Sequence, residues 1–207
     1  MAKPLKLYNH ALAPNPRRVR IFAAEKGIAL ALEDMDVLAG ATRTPEFLAK
    51  NSSGGVPLLE LEDGSYLSES VAICRYLEGL HPEPILFGRS PREQAEVERW
   101  NRRMELELFA AIGQTARHTS PVFQGRFKQF PEHGEAQRVV AHGRLERMDR
   151  ELDGQAFIAG ERFTIADITA LCAIDIGRAV AKIEMAPEWA NLARWHASVS
   201  SRPSAKA

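Results

Sequence analysis

The sequence predicts a two-domain chain, an α/β domain followed by an all-α domain. Three observations lead there. The first eighty positions alternate strand-like and helix-like patterns in the order β-α-β-α-β-β-α. A stretch holding Pro82, Pro84, Gly88 and Pro91 then interrupts both kinds of pattern, as a linker does. Beyond it strand signals vanish and apolar residues recur at spacings of three and four. The expected division is a first domain over 1–80, a linker over 81–90 and a helical domain over 91–207.

Residues 5–8 read as a short strand. Asn15-Pro16 reads as a helix start, since Asn is favoured at the N-cap and Pro at the first helical position. That helix carries Val19, Ile21, Phe22 and Ala23 and stops at Gly27, the residue type expected just past a helix end. A second strand is expected over 30–37, and a short helix over 45–50. Asp63-Gly64 is a strong turn signal and predicts a hairpin, with strands over 56–61 and 65–67. Ser68 or Glu69 opens a third helix, ending at Gly79. In the second half one long helix is expected from Pro91 to about residue 118, with Val97, Trp100, Met104, Leu108 and Ala111 on one side; at this spacing they read as core. Thr119-Ser120-Pro121 breaks it. Another helix runs over about 132–152, and a last one over 188–201. Between them, Thr164-Ile165-Ala166-Asp167 is a capping box that starts a helix reaching about residue 180.

The 207 residues are 45% hydrophobic, enough for a full core, and carry zero formal net charge. That balance argues against nucleic acid or an anionic membrane as the main partner. No apolar run approaches the ~20 residues that span a bilayer. Residues 1–7 lead directly into a strand pattern rather than a signal peptide, so a cytoplasmic location is expected. The two cysteines, Cys74 and Cys172, lie far apart among apolar residues, with neither CxxC nor metal-ligand spacing. Buried thiols in a reducing compartment are expected, and no metal.

Val56-Pro57 and Glu69-Ser70 carry the strongest functional signal. An X-Pro bond adopts cis far more cheaply than other peptides. In cis, Val56 would present its backbone N–H and C=O outward to an extended peptide. Glu69-Ser70 at a helix N-terminus offers N–H groups and a hydroxyl to a carboxylate. One small peptide carrying a carboxylate fits both halves.

With Gly54-Gly55-Val56-Pro57-Leu58-Leu59, Leu67-Ser68-Glu69-Ser70-Val71-Ala72-Ile73, Phe157-Ile158-Ala159-Gly160 and Phe163-Thr164-Ile165-Ala166-Asp167, the whole chain resembles the cytosolic glutathione transferases. Asn15-Pro16-Arg17-Arg18-Val19-Arg20 is similar to the first helix of the bacterial, theta-like members. The resemblance implies a thioredoxin-like βαβαββα domain joined to a helical domain, glutathione as co-substrate, a small electrophile as second substrate, and a homodimer. It implies further that Val56 and Pro57 hold the cysteinyl part of glutathione. Ser70 takes the γ-glutamyl carboxylate, and Glu69 its ammonium.

Where theta-like relatives carry a Ser or Thr whose hydroxyl donates to the thiolate, this sequence has Ala13. Asn15 can supply the missing donor, or serve as an N-cap, or do both. His10 lies in the same loop and can act as acid or base if it points inward. Tyr8 at the strand end reads as packing. Arg43 either pairs with the glycine carboxylate or is a solvated arginine. Three activities follow: conjugation of glutathione to small electrophiles, with glutathione-dependent disulfide or peroxide reduction and catalytically silent glutathione binding as alternatives.

Overall fold

A computed structural model describes residues 5–207. The first four residues, on which part of the signal-peptide reading falls, lie outside the described residues. The described chain falls into two compact units, one reaching Ile85 and taking in Lys206 and Ala207, the other Leu86–Ala205.

The first unit is built on a four-stranded sheet of order β2-β1-β3-β4, with β1 Leu5–Asn9, β2 Leu30–Asp34, β3 Leu58–Glu60 and β4 Tyr66–Ser68. β1 and β2 are parallel, and the crossover between them is helix α1, Pro14–Glu25. β1–β3 and β3–β4 are antiparallel. Helix α2, Pro45–Lys50, precedes β3, and α3, Ser70–Leu80, follows β4 and packs with α1. This is the thioredoxin-like arrangement the resemblance implies.

Several boundaries differ from expectation. Helix α1 begins one residue before Asn15. Ala13 is its N-cap and Pro14 its first residue, so Asn15 sits in the first turn and caps nothing. β2 ends at Asp34 because the following backbone turns: Val37 N–H donates to Met35 O, and Ala39 N–H donates to Asp36 Oδ1 at 2.8 Å. β3 is limited to Leu58–Glu60, the residues that face β1 and β4 in register. After α3, Lys26 reaches the Pro82 and Pro84 carbonyls and the Glu78 carboxylate with its side chain fully buried, which ties this segment to the first unit.

The second unit is helical throughout. Its helices are α4 Pro91–Arg103, α5 Ala110–Thr119, α6 Pro131–Glu151, α7 Ile165–Ile176 and α8 Ala190–Ser200. The expected single helix from Pro91 contains a π-helical turn, Met104–Phe109, between α4 and α5. A second π turn, Gly177–Ala181, extends α7. Helix α7 is the core of this unit, buried from Ile165 to Ile174. The Thr164/Asp167 capping box is present as expected. Asp167 also accepts from Ile158 N–H at 2.9 Å and from Trp195 Nε1–H at 2.8 Å. Burial pushes its carboxyl up from the usual carboxylate range, and these donors oppose that. Cys74 and Cys172 are buried thiols, neither of them in a disulfide. Among the described residues no helix is long and apolar enough to cross a membrane.

Candidate functional site

The sheet register gathers the expected site residues at one end of the first unit. Tyr8 faces Leu58 in the antiparallel pair, so the loop after β1 and the segment entering β3 lie at the same sheet end. Leu58 also faces Ser68, so the start of α3, two residues on, lies at that end too. Thus the loop after β1, the segment entering β3 and the start of α3 share one sheet end.

Val56-Pro57 is a cis peptide, as expected. The Val56 side chain packs against the cluster of Tyr8, Phe47 and Leu58. Its backbone N–H and C=O bond to nothing among the described residues. The loop leading into it is held by Asn51, which sequence reasoning overlooked. Asn51 Nδ2 donates to Gly55 O at 2.9 Å, and its Oδ1 accepts from Ser53 N–H and Ser53 Oγ. Arg43 ends a short 3-10 turn and donates from Nη1 to Ser53 O at 3.1 Å. Its guanidinium lies so close to Gly54 that a Cβ there would come within 2.6 Å of Nη1. Arg43 is therefore laid along the loop that delivers Val56, with its outer face exposed.

Glu69 is the N-cap of α3 and has φ 69°, a left-handed conformation that non-glycine residues adopt at a cost. Its side chain is exposed and makes no capping bond. Ser70 is 5% exposed, and its Oγ accepts from Arg18 Nη1 at 2.8 Å. Arg18, 1% exposed, is the second residue that sequence reasoning overlooked. A signal existed: Arg18 and Phe22 are four residues apart and lie on the buried stripe of α1, so a cation there required an internal partner. With Arg18 donating, the Ser70 hydroxyl proton has no acceptor among the described residues, and the hydroxyl is left to act as a donor. The N–H groups of the first turn of α3 flank it.

The loop between β1 and α1 is a tight turn. Ala13 N–H donates to His10 O at 3.1 Å, and Leu12 N–H donates to His10 Nδ1 at 3.3 Å. A ring nitrogen that accepts carries no proton, so the neutral His10 ring holds its proton on Nε2. Arg20 bonds Asn9 Oδ1 and, at 2.9 Å, Ala11 O, which fixes the loop from the other side. Pro14 and Pro16 have no N–H, so the first turn of α1 retains one free backbone donor, the Asn15 N–H. Asn15 itself is exposed. Tyr8 does not take part. It is 2% exposed, donates to Glu60 Oε2 at 3.0 Å and accepts from Lys50 Nζ at 2.8 Å.

A thioredoxin-like unit with an open strand edge, followed by a helical unit carrying this capping box, is the architecture of the cytosolic glutathione transferases. Comparison with known proteins agrees. Residues 3–79 match the glutathione S-transferase N-terminal domain, and residues 116–203 match the C-terminal domain. The whole chain is 34% identical to glutathione S-transferase 2 of Saccharomyces cerevisiae, covering 90% of that protein. Among solved structures it is similar to Gtt2 from the same yeast, with 34% identity, a TM-score of 0.91, and 97% and 98% of the two chains covered. A glutathione S-transferase domain-containing protein of Marinobacter aquaeolei is similar at 37% identity and a TM-score of 0.91, covering 96% and 98%. The chain belongs to the glutathione S-transferase family and is a glutathione transferase.

Proposed function

We propose that the protein binds glutathione along the sheet end described above and conjugates its thiolate to small electrophiles. The observation that carries this is the unpaired Val56 backbone just before β3 and the Ser70 hydroxyl just after β4, the strand paired with β3, so that both stand at the same end of the sheet. An extended peptide pairs with the first by strand addition and is anchored by its carboxylate at the second. In this reading Pro57 shapes the edge, Glu69 takes the γ-glutamyl ammonium and Arg43 takes the glycine carboxylate. The sulfur lies at the N-terminus of α1.

A free thiol has a pKa of about 8.5, and a helix N-terminus lowers it by favouring the anion. Ala13 supplies no hydroxyl, so the proposed donors are the Asn15 backbone N–H and its side-chain amide. His10, with its Nε2–H unclaimed by the loop, is proposed to act as an acid, donating toward the sulfur or the leaving group. The reaction is a displacement: the sulfur–carbon bond forms as the leaving group departs, and the thiol proton passes to water.

The protein is further proposed to act as a cytoplasmic homodimer in detoxification, with its domains over 1–80 and 91–207 and the linker over 81–90. The relatives' names favour transfer over reduction. Isothermal titration with glutathione, beside turnover of 1-chloro-2,4-dinitrobenzene, tests the proposal. One-site binding with saturable turnover is expected. Absence of binding at millimolar glutathione refutes the site, and binding without turnover on any electrophile refutes the transfer step.

A further inference from the structure

The loop between β1 and α1 is held by a chain of hydrogen bonds that begins on another strand. Asn9, the last residue of β1, is 2% exposed and stands beside Asp34, the last residue of β2. Its Nδ2 donates to Asp34 Oδ1 at 2.6 Å, and its Oδ1 accepts from Arg20 Nη1. The partners fix which way the amide points, because an ionised carboxylate only accepts and a guanidinium only donates. Arg20 Nη2 then donates to Ala11 O at 2.9 Å. The Asn9 main chain is engaged as well, its carbonyl accepting from Met35 N–H at 2.8 Å.

Arg20 is placed for this by its helix. It lies in the second turn of α1, and helical side chains lean toward the N-terminal end. A long side chain there reaches back over the first turn to the loop that precedes it. The fork matters as well as the length. One nitrogen meets the Asn9 side chain while another meets the Ala11 main chain. A planar guanidinium spans two such oxygens in fixed geometry, which a point charge does not.

The demand on this chain follows from Ala13. A hydroxyl donor rotates to meet its acceptor. A backbone N–H does not, since its direction is set by the chain that carries it. The start of α1 has no side-chain cap, and its free donor is the Asn15 N–H. Misplacing a reacting group by about 1 Å costs on the order of a hundredfold in rate. Leu12 N–H and Ala13 N–H both bond His10, which ties the loop to itself. Arg20 and Asn9 tie it to α1 and β2.

We propose that Arg20 is a positioning residue for glutathione transfer: through Asn9 and the Ala11 carbonyl it holds the loop so that the start of α1 meets the sulfur. This rests on the reading that glutathione binds at this sheet end with its sulfur at the N-terminus of α1.

The experiment compares the full chain with Arg20→Met, Arg20→Lys and Asn9→Leu. The thiolate of bound glutathione is titrated by its ultraviolet absorbance, beside turnover of 1-chloro-2,4-dinitrobenzene across pH. Reading the thiolate directly separates its titration from that of His10 in the same loop. In Arg20→Met the thiol titration should move up by about one pH unit, and turnover at neutral pH should fall about tenfold. The deficit should narrow as pH rises past the shifted value, because both proteins then carry the thiolate. Below the titration range glutathione affinity should hold, since Val56 and Ser70 are untouched. Arg20→Lys keeps the charge without the fork and should retain most of the shift. Asn9→Leu breaks the same chain and should match Arg20→Met, with no further shift in the double variant. Melting temperatures report the fold, and a poorly folded Asn9→Leu leaves the decision to the two Arg20 variants. A parent that binds no glutathione overturns this proposal together with the reading beneath it. With a parent that binds and turns over, an unmoved thiol titration in Arg20→Met, or full recovery in Arg20→Lys, overturns the positioning role alone.

Discussion

Ser70→Ala removes an oxygen that accepts from Arg18 Nη1 at 2.8 Å and, in the proposed complex, donates to the γ-glutamyl carboxylate. The two losses are separable. A hydrogen bond to a charged group contributes about 1–3 kcal/mol, so glutathione affinity should fall by roughly 5- to 150-fold. Without ligand, the variant leaves a donor of a buried guanidinium without this acceptor. That costs stability on a similar scale, about 1–3 kcal/mol. For a chain of this size each kcal/mol lowers the melting temperature by about 2–4 °C. Calorimetric titration reads the first effect and thermal unfolding the second. A cycle with N-acetylcysteinylglycine, which lacks the γ-glutamyl carboxylate, isolates the contact: the affinity penalty of the variant should disappear with that ligand. If Ser70→Ala binds glutathione as tightly as the parent while its melting temperature drops, the carboxylate is anchored elsewhere. The assignment of the α3 N-terminus then fails.

Asn15→Ala removes the side-chain amide and keeps the backbone N–H, whereas Asn15→Pro removes both in a turn that already tolerates proline at its neighbours. If the backbone donor dominates, turnover falls far more in the proline variant, with glutathione affinity nearly unchanged in both; equal rates in all three proteins would dismiss Asn15. Glu69→Gly relieves a left-handed φ that costs about 1–3 kcal/mol, so the variant should be at least as stable as the parent yet bind glutathione more weakly, and unaltered binding would show that the Glu69 carboxylate is idle. Asp167→Ala strands the Ile158, Thr164 and Trp195 donors in a fully buried site; a loss of about 3–5 kcal/mol is expected from chemical denaturation, a large share of a typical total. Lys50 is raised above its ordinary value, chiefly by its hydrogen bond to Tyr8. A raised lysine stabilises fully below its unfolded pKa, and the contribution fades as pH climbs through the native value. The melting-temperature gap between parent and Lys50→Met should therefore be constant near neutrality and close in the alkaline range, and a gap that is level with pH would remove the Tyr8 contact from the account.

Patterns that repeat along the chain were legible; contacts between distant residues were not. The strand and helix order, the Asp63-Gly64 hairpin and the Thr164/Asp167 box follow from local chemistry. Each requires only a few adjacent residues of the right type. The start of α1 misled because Ala13-Pro14-Asn15-Pro16 holds two prolines, either of which suits a first turn; the earlier one prevailed and left Asn15 inside the helix. The π turn at Met104–Phe109 has no distinctive residue of its own. Instead its Glu107 meets the buried Arg144 of α6 at 3.1 Å, a tertiary partner invisible along the sequence. In the site, the Val56-Pro57 and Glu69-Ser70 pairs stood out as motifs. Asn51 and Arg18 did not, because their roles depend on which backbone or hydroxyl folds against them.

Arg18 also changes how the anchor should be understood. A serine at a helix start is ordinary, and its hydroxyl can either donate or accept. Here the acceptor role is already taken by a buried cation. That leaves the hydroxyl proton to be donated outward, and it places positive charge behind the oxygen that carries it. The α3 N-terminus contributes further partial positive charge at the same point. A carboxylate suits such a group; an ammonium does not. The exposed Glu69 beside it offers the opposite preference one residue away. In the proposed complex the pair would suit a ligand end that carries both charges on one carbon, as the α-amino acid end of a γ-glutamyl peptide does.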